Sequence, residues 1–293
     1  MNTTIGFVGL GLMGSGMARN LIEAGFSVTG YDLDPEKAAA FASLGGDLSE
    51  DPGTMAAHVD VIILSLPNSS VVNDVVQNTL RLQETGREKL ILIDTTTADP
   101  GMSTSLASQL QKKSIAMLDA TISGTSKMCA EKNVTFMVGG DKTVFDRCDT
   151  IFAAMGAQTF YLGPNGSGAM MKLIVNLVLG LNRMVLAEGL ALGKRAGVSS
   201  DQMLKVLKNS AAYSKAIDMK GLKMTASDFL PAEGKLAFHL KDVRLMLDLS
   251  RQLNFPLPLS SLHAQALTSL VAKGRGEWDN AAIMSFYDDL VSP

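Results

Sequence analysis

Cysteine is scarce in this chain, with only Cys129 and Cys148, and tryptophan occurs once. Two thiols are too few for a disulfide framework, so both are expected to be reduced and buried as small hydrophobes. An excess of basic charge is also missing. Lys+Arg at 26 against Asp+Glu at 29 leaves a net charge of −3, which provides no electrostatic footprint for nucleic acid. The three histidines, His58, His239 and His263, are scattered without metal-ligand spacing, so neither a metal site nor a histidine catalyst is expected. No basic-then-apolar leader precedes the first strand pattern, and the expected compartment is the cytoplasm. The most apolar stretch, Leu173 to Leu192, is interrupted by Asn176, Asn182, Arg183 and Glu188. That is too polar for a bilayer and suits a helix buried between domains, so no membrane partner is expected. Internal repeats, low-complexity tracts and long charge runs are lacking as well.

What is present is a 293-residue chain with 46% hydrophobic residues, enough for two domains with cores of their own. Its most informative motif is Gly9-Leu10-Gly11-Leu12-Met13-Gly14, directly behind the apolar run Ile5-Gly6-Phe7-Val8. In such a turn the first glycine allows the tight bend, and the second lets backbone approach a pyrophosphate. The third lets the following helix pack close to the strand with its N-terminal amides facing the anion. Met13, Met17 and Leu21 recur at helical spacing until Gly25 supplies a stop. A second strand, Ser27 to Tyr31, then ends in Asp32, about 20 residues beyond the glycines, where a ribose-binding acid belongs. A carboxylate there accepts from both ribose hydroxyls of NAD and repels the 2′-phosphate of NADP, so the expected cofactor is NAD. Asp34 reads as the cap of a helix beginning near Pro35.

Further strands read Val61 to Leu66, Leu90 to Asp94, Ile115 to Leu118, Val134 to Val138 and Gln158 to Leu162, alternating with helices. This is the pattern of an α/β fold, an N-terminal Rossmann-type, doubly wound parallel sheet. Ligands of such sheets bind beyond the carboxyl ends of the strands, which places Leu66-Pro67-Asn68 and Asp94-Thr95-Thr96 on the nicotinamide side. In the plainer reading Pro67 and Asn68 make a turn and Thr96 caps a helix. From Gly163 the strand signal stops. Helices follow at about Ala169 to Ala196, Asp201 to Lys208, His239 to Leu253, Ser260 to Lys273, and Asn280 to Leu290 capped by Asp279. The expected division is a dinucleotide-binding domain over 1–163 and an all-α C-terminal domain over 164–293, joined by a long interdomain helix.

Three segments are candidates to complete a site. The first is the glycine-rich run from Gly163 into Lys172 and Asn176, which lie four apart and project from one helix face. Apolar neighbours partly desolvate Lys172 and so suit it to proton transfer, although lysines also snorkel out of apolar helices. The second is Asp119-Ala120-Thr121-Ile122-Ser123-Gly124-Thr125-Ser126, whose hydroxyls and consecutive amides offer a nest for a carboxylate, or an ordinary capped turn. The third is Lys241-Asp242, a pair that is usually a solvated surface contact.

In content and order these motifs resemble the β-hydroxyacid dehydrogenase family, which includes 3-hydroxyisobutyrate dehydrogenase and tartronate semialdehyde reductase, over nearly the whole chain. The resemblance implies an oxidoreductase that exchanges a hydride between a nicotinamide and the β-hydroxyl of a short carboxylic acid, interconverting a hydroxy acid and a semialdehyde. It implies Lys172 as the acid–base residue, with Asn176, Ser123, Gly124 and Thr125 holding the substrate. Gly9, Leu10, Gly11, Leu12, Met13, Gly14, Asp32, Leu66, Pro67, Asn68, Thr95 and Thr96 would hold the dinucleotide, with Lys241 closing on it. A homodimer or homotetramer built on the helical domain is also implied.

Family members usually read Asp-Ala-Pro-Val-Ser-Gly-Gly. Here Thr121 replaces the proline and Thr125 the second glycine, and Lys132 stands where a glycine is usual, so the particular acid is left open. The motifs leave two alternatives open. An imine- or 6-phosphogluconate-type reductase on the same plan is opposed by Lys172 and by the lack of a cationic cluster near 119–132. A non-catalytic dinucleotide-binding scaffold is opposed by the joint presence of Lys172, Asn176 and Ser123.

Overall fold

A computed structural model describes residues 3–84 and 88–291. The chain separates into two compact units, Met1–Lys172 and Leu173–Pro293. In the first unit one sheet contains β1 Thr4–Val8, β2 Ser27–Tyr31, β3 Asp47–Leu48, β4 Val61–Leu64, β5 Ile91–Asp94, β6 Ala116–Ser123, β7 Thr135–Gly140 and β8 Gln158–Tyr161. Their order is β3-β2-β1-β4-β5-β6-β7-β8. All neighbours are parallel except β6 and β7. The order of strands reverses between β1 and β4, and the carboxyl ends of these two strands flank the switch point where such sheets bind ligands.

Helices of this unit are α1 Leu12–Glu23, α2 Pro35–Ala42, α3 Pro52–His58, α4 Ser69–Asp74, α5 Pro100–Gln111, α6 Ser126–Ala130, α7 Lys142–Arg147 and α8 Asp149–Met155. β4 and β5 are buried along their whole length, as apolar strands covered on both faces must be. Alternate side chains serve the two faces. Phe7, Ile63 and Ile93 belong to the core cluster that holds Met17 and Leu21 of α1, whereas Ile62, Leu64 and Leu92 join Leu106 and Leu110 of α5. Each such side chain contributes roughly 1.5–3 kcal/mol of burial. Cys129 and Cys148 are buried and unpaired, and burial pushes both thiols up to about 11.

The two-residue β3 has no counterpart among the expected strands, β4 stops at Leu64 and not Leu66, and β6 departs furthest from its expected extent. Periodicity placed β6 over 115–118, yet it continues to Ser123. Polar Asp119 and Thr121 hide the continuation from an apolar-run criterion. The antiparallel ladder with β7 supplies its backbone partners, pairing Asp119 with Gly139 and Thr121 with Met137.

α9, Ser167–Arg195, carries the chain from the first unit into the second. It is followed by α10 Ser200–Lys208, α11 Lys215–Ala226, α12 Leu236–Gln252, α13 Pro258–Leu270 and α14 Met284–Val291. A π-helical turn, Val271–Arg275, extends α13, and a 3-10 turn, Asn280–Ile283, precedes α14. Asp279 caps that turn by accepting from the Ala281 amide at 2.9 Å. α11 has no counterpart in the sequence reading, because Asp218, Lys220 and Lys223 dilute its apolar period. Lys220 is nevertheless buried, donating to Glu233 at 2.7 Å and Asp279 at 3.0 Å.

α9 was expected to be buried, and only part of its surface is. Ile174, Val178, Val185 and Leu192 are exposed, and 100° per residue sets them on one stripe. Lys172, Asn176 and Arg183 fall on the opposite side of the same helix.

Candidate active site

The glycine turn after β1 has the geometry a pyrophosphate requires. Gly9 adopts φ +92°, and a Cβ there would lie 2.3 Å from the Ser65 carbonyl. A Cβ on Gly14 would lie 1.9 Å from the Gly9 carbonyl, so α1 packs this close only because the third glycine has no side chain. Beside Gly11 there is open space. Helices α2 to α7 each carry a side-chain cap, from Asp34, Asp51, Asn68, Asp99, Thr125 and Asp141. α1 has Gly11 at that position, with no side-chain cap and no acid in its first turn. Its leading amides therefore point at an anion site, and the residues present fit a dinucleotide.

Asp32 stands at the end of β2 and closes on this turn. Its Oδ2 accepts from the Leu10 amide at 2.7 Å, and its Oδ1 from the Asp34 amide at 2.9 Å. Leu12 is exposed and Met13 half-buried. After β4, Asn68 caps α4 through the Val71 amide. The Thr96 hydroxyl accepts from the Leu66 amide at 3.1 Å, and Thr95 donates to the Leu64 carbonyl at 2.7 Å. Both threonines are buried and spend their hydroxyls on shaping the turn. The helix cap in this stretch is Asp99, not Thr96.

Behind that turn sits the carboxylate that directly precedes the two threonines in sequence. Asp94 ends β5 fully buried, accepting from the Thr96 amide at 3.0 Å. Burial pushes its pKa up to about 6. Its register partner on β6 is Asp119, whose pKa is also raised by burial, against the hydrogen bonds it accepts.

Lys172 lies where β6 meets the first turn of α9. Its Nζ donates to the Ile122 carbonyl at 2.5 Å, one residue before Ser123 and Gly124. Ser123 follows directly on that contact and is half-buried. Gly124 adopts φ +151°, and a Cβ there would lie 2.6 Å from Val134 Cγ1, so the turn needs glycine. The Thr125 hydroxyl accepts from the Met128 amide at 3.2 Å and caps α6. An ammonium and a small-residue turn with a hydroxyl are thus held together within one unit.

In the second unit Asn176, buried, donates to Asp242 Oδ2 at 2.9 Å. Asp242 Oδ1 lies 3.3 Å from Lys241 Nζ, an ion-pair separation without hydrogen-bond alignment. The Lys241-Asp242 pair is therefore no solvated surface contact, since Asp242 is mostly buried. Two of the histidines that look scattered in sequence also meet here. The His239 and His263 rings are 5.1 Å apart, both against Gly180, and Arg183 Nη2 is 3.2 Å from His239 Nε2. Burial lowers the Arg183 pKa to about 10 and that of His263 to about 4, where the Arg183 charge adds to the effect. Their meeting depends on α12 packing against α13, which no local pattern reveals. Among the described residues no cluster of His, Cys, Asp and Glu is arranged to hold a metal ion.

Sheet order and glycine turn define a Rossmann-type dinucleotide-binding unit followed by a helical one. Comparison with known proteins agrees. Residues 4–163 match the family described as the NAD-binding domain of 6-phosphogluconate dehydrogenase. Residues 166–287 match the family described as NAD-binding of NADP-dependent 3-hydroxyisobutyrate dehydrogenase. The chain is 30% identical to L-threonate dehydrogenase of Cupriavidus necator, covering 100% of this chain and 99% of that protein. It is 29% identical to 2-(hydroxymethyl)glutarate dehydrogenase of Eubacterium barkeri, covering 98% and 95%. The solved structure of Mycobacterium tuberculosis 3-hydroxyisobutyrate dehydrogenase with L-serine superposes with a TM-score of 0.90 at 26% identity, covering 100% of each chain. The chain belongs to the β-hydroxyacid dehydrogenase family and is an oxidoreductase.

Proposed function

We propose that this protein interconverts a short β-hydroxy acid and its semialdehyde with NAD(H), Lys172 serving as the acid–base residue. The observation that carries the reading is the Lys172 Nζ contact with the Ile122 carbonyl, which sets the ammonium beside the Ser123–Gly124 turn. Ser123 and Gly124 take the substrate carboxylate through hydroxyl and backbone amides. Lys172 donates a proton to the reacting oxygen during reduction and takes the hydroxyl proton during oxidation. Asn176, oriented by Asp242, steadies the substrate. The nicotinamide, when bound, supplies or accepts the hydride. Gly9, Gly11 and Gly14 would hold its pyrophosphate and Asp32 its ribose, a charge arrangement that supports NAD over NADP.

The acids named for the relatives, threonate and 2-(hydroxymethyl)glutarate, fit a hydroxyl-bearing carboxylate as substrate class. The exposed stripe of Ile174, Val178, Val185 and Leu192 supports a homo-oligomer formed through α9, on the side of the helix away from Lys172. The test of the reaction is Lys172→Ala, assayed with NADH and a panel of small semialdehydes. Turnover should fall by about 10²–10⁴-fold while NADH binding persists. Near-normal turnover would reject the assignment.

A further inference from the structure

We propose that Asp119 and Thr121 are positioning residues for Lys172: they dock the first turn of α9 onto β6 and so fix where the ammonium stands relative to the Ser123–Gly124 turn. The inference rests on Lys172 being the acid–base group, and adds how the chain holds it in place. Asp119, almost wholly buried, accepts from the Gly166 amide at 2.8 Å through Oδ1 and from the Ala169 amide at 2.9 Å through Oδ2. Amides at a helix start have no partner within the helix, and a carboxylate there also meets the favourable end of the dipole.

Two residues on, Thr121 Oγ1 donates to the Gly168 carbonyl at 2.8 Å. In an α-helix the amide of residue i bonds to the carbonyl of i−4, so that same carbonyl is the acceptor for the Lys172 backbone amide. The next residue, Ile122, accepts from the Lys172 side chain. Between Asp119 and Ile122, β6 thus holds the start of α9, the peptide to which the Lys172 backbone is bonded, and the ammonium itself.

Gly168 makes so close an approach possible. A Cβ there would lie 2.3 Å from the Asp119 carbonyl and 2.4 Å from the Met137 carbonyl, and backbone cannot yield as a side chain would. Thr121 stands where the family motif usually reads proline, which has no hydroxyl to donate. In this chain a side chain therefore supplies a latch on the peptide beneath the acid–base residue.

A plain helix cap and a positioning device differ in what their loss changes. Removing a cap lowers the melting temperature and leaves kcat of the folded protein alone. Removing a positioning contact lowers kcat, because a displacement of about 1 Å at a reacting group can cost on the order of 10²-fold. The experiment compares Thr121→Val, Thr121→Ser and Asp119→Asn with Lys172→Ala. It measures melting temperature, coenzyme dissociation constant, KM, kcat and the pH profile of kcat, at temperatures where each variant is folded.

Thr121→Val is expected to lower kcat by about tenfold or more and to displace the ionisation limb of its pH profile, with coenzyme affinity unchanged. Thr121→Ser, which restores the hydroxyl, should recover most of kcat. Wild-type kcat and pH profile in Thr121→Val, or equal impairment of Thr121→Ser, would overturn the inference. If Asp119→Asn does not fold, the two Thr121 variants decide. Turnover surviving in Lys172→Ala overturns the reading of the site and this inference with it. Turnover lost there but kept in Thr121→Val overturns this inference alone.

Discussion

Lys132 adopts φ +58°, in the left-handed region that favours glycine, at a position where the family motif usually has one. Its ion pair with Glu23 at 3.5 Å joins two solvent-exposed groups and returns little. Lys132→Gly is therefore expected to stabilise the protein by up to about 1 kcal/mol, read as a higher urea midpoint, and an unmoved midpoint would refute the strain argument. Asp32 invites a second exchange. Asp32→Ala combined with Leu33→Arg removes the carboxylate that repels a 2′-phosphate and adds a cation at an exposed position. The ratio of kcat/KM for NADPH over NADH should rise, and an unchanged ratio would show that Asp32 does not read the ribose. Residues whose role depends on local chain order, such as Gly9, Gly14, Asp34 and Asp279, are legible from sequence. Thr125 is legible only in part, since its hydroxyl fits both a carboxylate nest and a cap, and the cap it forms depends on the position of α6.

Most strands and helices could be located because apolar period and stop signals are local properties, as at β4, β5 and α13. Two elements escaped for a shared reason. The far half of β6 carries Asp119 and Thr121, and α11 carries Asp218, Lys220 and Lys223. In both, buried polar groups find partners distant in sequence, Asp119 at Gly166 and Ala169 and Lys220 at Asp279. Polar residues satisfied in this way look like surface until the partner is known. The glycine turn provides the sharpest test at this scale. Gly14→Ala would force a methyl group against the Gly9 carbonyl, so the start of α1 must move. Coenzyme affinity should fall at least about tenfold, roughly 1.4 kcal/mol, when titrated by NADH fluorescence. Unaltered affinity would mean that the turn does not hold the pyrophosphate.

For the whole molecule, two buried groups respond to pH in opposite directions through the same window. Asp94 has an ordinary value of 3.8 and a native value of about 6, so it favours folding while it keeps its proton. That contribution is complete below pH 3.8 and is lost as pH rises through 6, because the unfolded chain ionises first. His263, ordinarily 6.5 and about 4 when folded, behaves in the reverse sense: its contribution is present above 6.5 and lost as pH falls through 4. Asp94→Asn keeps an oxygen for the Thr96 amide and cannot ionise, so its melting temperature should gain on wild type between pH 4 and 7. His263→Gln should gain on wild type in the opposite direction, as pH falls from 7 to 4. Parallel melting curves across pH would refute both shifts. Association is tested separately: Val185→Glu places a charge in the exposed stripe of α9 and should lower the sedimentation coefficient if copies meet there. Finally, an α1 that starts without a side-chain cap gives the coenzyme a part in holding the fold as well as in the reaction. A pyrophosphate seated there does for α1 what a capping aspartate does for its neighbours. At a coenzyme concentration a hundredfold above its dissociation constant this linkage adds about 2.7 kcal/mol. The protein's lifetime against heat and proteases would then track the supply of coenzyme around it, so that a cell short of the dinucleotide would lose the enzyme along with its reaction.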